Sequence, residues 1–210
     1  MPDDDDYPYR GTQTMQPEQY PYATQLQMVW PDRLLDSPPA LELPSEYQIR
    51  TFEWGDQLRW YELLAQAGWT DWDDEKVQPW LERILPDGWF MVVHIAADTL
   101  DEQIVASAMC LHDHTNLHPF GGELGWVAAN PAHARKGLGR TVCAAATARF
   151  LDAGYTDIHL YTEDYRYAAL KTYLRLGYEP FLYLPEMADR WRAVCTQVDW
   201  PFTPQDWPQV

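Results

Sequence analysis

VAANPAHARKGLGRTVCAAATARF, residues 127–150, reads as the end of a β-strand, a short basic loop and the start of a helix. The strand closes at Asn130–Pro131, where the ring removes a ladder donor. Beyond the loop, Leu138, Val142, Ala146 and Phe150 recur at i, i+4, i+8 and i+12, which predicts a helix from about Gly137 to Asp152 with one apolar face. The first N–H groups of a helix have no intrahelical partner, and the macrodipole adds roughly half a positive charge there. Gly137 and Gly139 permit a tight turn and close approach by a bulky anion. The stretch Arg135, Lys136, Gly137, Leu138, Gly139, Arg140 and Thr141 is therefore a candidate cradle for a pyrophosphate. A bare GxG also marks many plain helix starts. Two other phosphate loops are set aside, because GxxxxGK[ST] is absent and GLGRTV lacks the third glycine of a dinucleotide fingerprint.

Charge supports an anion at this junction. The chain of 210 residues carries a formal charge of −17, yet residues 134–175 hold seven of its fifteen cations against four carboxylates. So acidic a surface repels phosphate backbones, which argues against nucleic acid as a partner. It also serves solubility. Cys110, Cys143 and Cys195 are too few and too scattered for a disulfide framework or a thiolate zinc site. Met1 is followed by Asp3 to Asp6 rather than a basic leader, and no apolar run approaches the roughly 20 residues that span a bilayer. The expectation is a cytoplasmic protein without a membrane partner.

Working outward, residues 1–21 are acidic and proline-bearing without apolar periodicity, and read as a disordered tail. Residues 22–46 mix an apolar patch (Leu26, Met28, Val29, Trp30) with prolines and read as an extended arm packed on the domain as an edge strand. The domain itself is expected over 47–210. A strand at Tyr47 precedes a helix bearing Leu58, Tyr61, Leu63 and Leu64, and a second helix is predicted from Asp74 to Leu85. WFMVVHIAA and IVASAMCLHDH read as a hairpin around the turn 97–103, followed by the strand ELGWVAA. After the long helix come a strand (TDIHLYT), a helix over 167–176, a strand (YEPFLYL) and a last strand (AVCTQVD). The order predicts an α/β fold with one central mixed sheet of six to seven strands and helices on both faces.

Two segments carry a family resemblance. RKGLGRT after a strand ending Ala129-Asn130-Pro131 resembles motif A of the GNAT N-acetyltransferases, with Ala134 at a position usually Gln or Arg. ALKTYLRLGYEP (169–180) is similar to motif B, placing Tyr173, Gly177 and Tyr178 in register. The resemblance implies acetyl-CoA as co-substrate, no metal, and transfer of acetyl to a primary amine by direct attack in a ternary complex. It also implies a homodimer paired through exposed final strands. The rival reading is a catalytically weak module that binds acyl-CoA or a partner.

By the same resemblance, Tyr173 is the proton donor to the departing thiolate and Glu123, six residues before Ala129, takes the amine proton. The amide of Ala129 faces the acetyl carbonyl, and Val127 pairs with the pantetheine as an added strand would. Arg166 stands where many members place an Asn that contacts the same arm. His112, His114 and His118 read as structural or as a proton relay rather than as metal ligands. Trp54, Trp60, Trp69, Trp72, Trp80 and Trp89 read first as core; as a wall of the acceptor pocket they would favour a cationic amine.

Overall fold

The computed structural model describes residues 24–95 and 102–210. One seven-stranded sheet organises them, in the order β2-β3-β4-β5-β6-β1-β7. Strands β2 (Tyr47–Thr51), β3 (Ile84–Ile95), β4 (Glu102–Asp113) and β5 (Gly121–Ala129) run antiparallel to their neighbours, and β5 meets β6 (Ile158–Thr162) in parallel. Side chains alternate across a strand, and β3 shows it plainly. Val92 joins a core on one face, whereas Trp89, Met91 and Val93 join a core on the other. Strand β4 does the same with Ala108 and Cys110 against Met109 and Leu111.

Helices cover both faces. On one lies α3 (Leu138–Asp152), packed across β3, β4 and β5, with α4 (Tyr167–Leu176) beside it and α5 (Met187–Val198) beyond. Its Ala144, Ala145 and Ala146 let the helix sit close to the sheet, and Thr147 bonds the buried Tyr178 hydroxyl at 2.8 Å. On the other face lie α1 (Gln57–Gln66) and α2 (Asp74–Leu81). Here Trp60 is fully buried and its indole N–H donates to Ser107 Oγ at 2.9 Å. Among the described residues, no helix is long and apolar enough to cross a membrane.

Several expectations change. The apolar patch of the 22–46 segment forms β1 (Leu26–Val29), which lies inside the sheet between β6 and β7 (Glu179–Phe181) rather than at its edge. Both Leu26 and Met28 are 0% exposed, as a strand flanked on both sides requires. Helix α2 stops at Leu81, two residues past Pro79, and Ile84 already pairs with Leu111 in the sheet. The expected last strand, AVCTQVD, is the second half of α5. Met187, Arg190, Trp191, Val194, Cys195 and Val198 are its buried residues, a helical period invisible when residues 193–199 are read alone. The exposed final strand of the dimer expectation is thus a helix. The expected tail 1–21 lies outside the described residues, as does most of the turn 97–103.

Candidate active site

A break in the sheet builds the site. Strands β5 and β6 pair only at Gly122↔Ile158 and Glu123↔His159, and beyond that they part. The cause lies in β5. Its register against β4 shifts between Ser107 and Met109, and at the bulge Trp126 takes φ 49°. A left-handed backbone costs a bulky residue about 1–2 kcal/mol. Aromatic contacts offset this: the Trp126 ring meets Trp72 at 4.3 Å and Trp80 at 5.1 Å between centroids. A bulge bends its strand, so β5 leaves β6 and opens a cleft of about 790 Å³.

Nine of the sequence-selected residues line that cleft: Val127, Ala129, Arg135, Gly137, Leu138, Gly139, Arg140, Arg166 and Tyr173. At its floor α3 begins. Gly137 is the N-cap with φ 80°, and no side chain caps the helix there. The orphan N–H groups of the first turn therefore await an acceptor. Gly139 is telling. A Cβ built on it would meet only the Ala129 Cβ at 3.9 Å, an ordinary contact. Glycine in a helix costs about 1 kcal/mol relative to alanine, and no protein neighbour demands it here. Room for a ligand would.

Two residues of the cradle point elsewhere. Thr141 is 2% exposed, and its hydroxyl donates to Gly137 O at 3.2 Å and to the Glu42 carbonyl. Lys136 Nζ lies 3.5 Å from Glu46 and 5.0 Å above the Tyr47 ring, beside a separate cavity of about 300 Å³ that Thr141 also lines. Neither lines the main cleft. Arg140 lines both cavities and pairs with Glu42 at 3.3 Å.

A narrower cavity of about 60 Å³ opens between the parted strands. Trp69, Val127, Arg166 and Tyr173 line both it and the main cleft, so the two spaces meet at these four side chains. Tyr173 comes from α4 and is 6% exposed; burial drives its phenol well above the ordinary range, so it stays protonated. Glu123 lines the narrow cavity, not the main cleft, and accepts from Arg83 Nη2 at 3.1 Å.

Sequence reasoning missed Glu163, just beyond β6 in the same cavity. It is 3% exposed, pairs with Arg166, and accepts from Gln25 Nε2 at 2.9 Å. Burial nevertheless raises its pKa above 4.5, outweighing the attraction of Arg166. Its signal was position: ligands in open α/β sheets gather at the carboxyl ends of strands. Of the tryptophans, Trp69 and Trp80 line the narrow cavity, Trp60 and Trp89 sit in the core, and Trp54 is exposed.

His112, His114, His118 and His159 line neither space, whereas His133 lines the main cleft. His112 and His114 bond each other ring to ring at 2.6 Å. His118, Asp157 and His159 bring ligand-type atoms within 4.8 Å of one another. However, the His118 and His159 rings lie face to face, 3.8 Å apart and 7° from parallel. Their in-plane lone pairs therefore run side by side instead of converging, an arrangement for stacking rather than for coordination.

Residues 46–178 match the acetyltransferase (GNAT) family. The chain belongs to that family. Among its curated relatives, mycothiol acetyltransferase of Nocardia farcinica is 32% identical over 117 residues, 55% of this chain and 36% of that protein. The enzyme of Rhodococcus erythropolis is 29% identical over 165 residues, 71% of this chain and 52% of that protein. This GNAT chain thus spans about half or less of the curated relatives' length. The fold is that of a GCN5-related N-acetyltransferase from Sphaerobacter thermophilus (TM-score 0.54, 21% identity, 74% of this chain and 47% of that one). It is likewise that of the NatC complex bound to Gag peptide and CoA (TM-score 0.55, 17% identity, 63% and 84%).

Proposed function

We propose that this GNAT chain transfers acetyl from acetyl-CoA to a primary amine in a ternary complex. One observation carries the reading: a cleft floored by an uncapped, glycine-started helix runs to Tyr173, where it meets a second cavity holding two carboxylates. The diphosphate would accept from the first N–H groups of α3. The pantetheine arm would lie along Val127 to Ala129, with Arg166 beside it, and bring the thioester to the junction of the two spaces. NatC, solved with CoA and a peptide, supports the cofactor.

The amine enters from the narrow cavity. Its nitrogen forms a bond to the thioester carbon while an amide N–H at Ala129 steadies the oxyanion. The C–S bond then breaks, and the phenol of Tyr173 gives its proton to the sulfur. The proton lost by the amine goes to a carboxylate. Glu163 suits that role, because burial holds its proton more tightly than water would. Glu123, selected from sequence, adds negative charge nearby while bound to Arg83. No cysteine nucleophile is needed: Cys110 and Cys143 are buried, and burial pushes both thiols far above neutrality.

Calorimetry with acetyl-CoA and release of free CoA across an amine panel test the proposal. Binding and release together support it; binding without release with every amine supports the non-catalytic module instead. Absence of binding removes both.

A further inference from the structure

Buried polar groups are nearly always matched, so a cluster of unmatched ones marks a missing partner. Among the described residues, Gln25 Oε1, Trp69 Nε1 and Thr162 Oγ1 are buried without a hydrogen-bond partner. All three residues line the narrow cavity that holds Glu163. They arrive from different places: Gln25 precedes β1, Trp69 follows α1 and Thr162 ends β6. Trp69 and Thr162 are 7% and 3% exposed, so bulk solvent has little access to them. Gln25 has its amide nitrogen on Glu163 at 2.9 Å, which leaves the oxygen over. The three offer one donor only (the indole N–H), one acceptor only (the amide oxygen) and one hydroxyl that does either.

We infer that this cavity is a polar acceptor subsite, built for a primary amine with a group a few bonds from its nitrogen that both donates and accepts hydrogen bonds. An α-amino amide or a vicinal amino alcohol has that chemistry; a plain alkylamine of equal size lacks it. The inference rests on the acetyl-transfer reading for its chemistry, although the complementarity is a property of the cavity itself. A space of about 60 Å³ admits the amine-bearing end of a molecule and little more. An alkylamine entering it would leave the indole N–H and the amide oxygen buried and unmatched. Sites with hydrogen-bonding groups reject analogues that lack them far more strongly than apolar pockets reject a missing methylene.

The test compares glycinamide, ethanolamine and propylamine as acceptors in the full chain, by kcat/KM for CoA release. Preference for glycinamide or ethanolamine over propylamine by about tenfold or more is expected, since one buried hydrogen bond to a neutral group is commonly worth that order. The two polar amines then separate the amide from the alcohol as the natural source. Trp69→Phe keeps a flat aromatic body and removes only the N–H; Thr162→Val keeps the shape and removes the hydroxyl. Each should shrink the polar-to-alkyl ratio severalfold, whatever it does to the overall rate. Equal use of propylamine, or a ratio unmoved by both variants, overturns the subsite. If no amine is acetylated, calorimetric titration of the same three amines into CoA-saturated protein reads the same preference. If CoA does not bind either, the function fails, and the titration into protein alone still decides the subsite: polar amines binding no better than propylamine overturn it.

Discussion

Tyr173 and Glu163 come from different elements, and burial raises the proton affinity of both. One is a phenol held protonated, the other a carboxylate that takes a proton more readily than in water. Tyr173→Phe should therefore lower kcat about a hundredfold while acetyl-CoA affinity by calorimetry stays within a factor of about two. Glu163→Gln should cost a similar factor; Glu123→Gln should cost less than about tenfold. The pH profile separates them. A base must be unprotonated, and the Glu163 pKa lies above 4.5, so kcat/KM should fall as pH drops through that raised value. In Glu163→Gln that acid limb should vanish. A limb unchanged in the variant assigns the proton to another group.

At the scale of elements, the start of α3 ties two glycines to different duties. Gly137 holds φ 80°, a conformation that costs a side-chain-bearing residue about 1–2 kcal/mol, so Gly137→Ala should lower the urea midpoint. A Cβ at Gly139 would meet only the Ala129 Cβ of β5 at 3.9 Å, an ordinary contact, so Gly139→Ala should raise stability by about 0.5–1 kcal/mol. The same methyl enters the proposed phosphate cradle, and acetyl-CoA should bind it more weakly. Stability gained together with affinity lost is the signature to look for. This junction was legible in the sequence because its physics is local: a turn, a helix start and a count of cations within some twenty residues. Tyr173 was selected through the resemblance of residues 169–180 to motif B, not through any spacing of its own. Glu163 and Trp126 were not legible, since what distinguishes them is convergence from distant segments and a backbone bulge that no spacing announces. Helix α5 was misread for another reason, because its apolar period becomes visible only from Met187 onward.

At the scale of the molecule, two cores share one sheet, and the proposed chemistry sits where β5 and β6 part. A polar knot sits where those two strands still pair, at Glu123↔His159. There His159 is 0% exposed and its Nε2–H donates to Asp113 Oδ2 at 3.1 Å. Burial lowers its pKa below 6.5, opposed in part by Asp113. The unfolded chain thus takes the proton first, and His159 contributes stability that is full above about pH 6.5 and lost as pH falls below it. Urea midpoints should decline on acidification from that point, with a shallower slope in His159→Asn.

Strand β1 gives the sheet an awkward history. Its partners β6 and β7 lie more than 125 residues downstream, as the pairings Leu26↔Thr162 and Gln27↔Phe181 record. A ribosome releases Leu26 first among these, yet the segment has nowhere to dock until β6 has emerged. Closing so long a loop is slow, so this ladder should form well after the local β2–β3–β4–β5 hairpins. The same event brings Gln25 to the narrow cavity, so the proposed acceptor subsite should be completed only after β6 docks on β1.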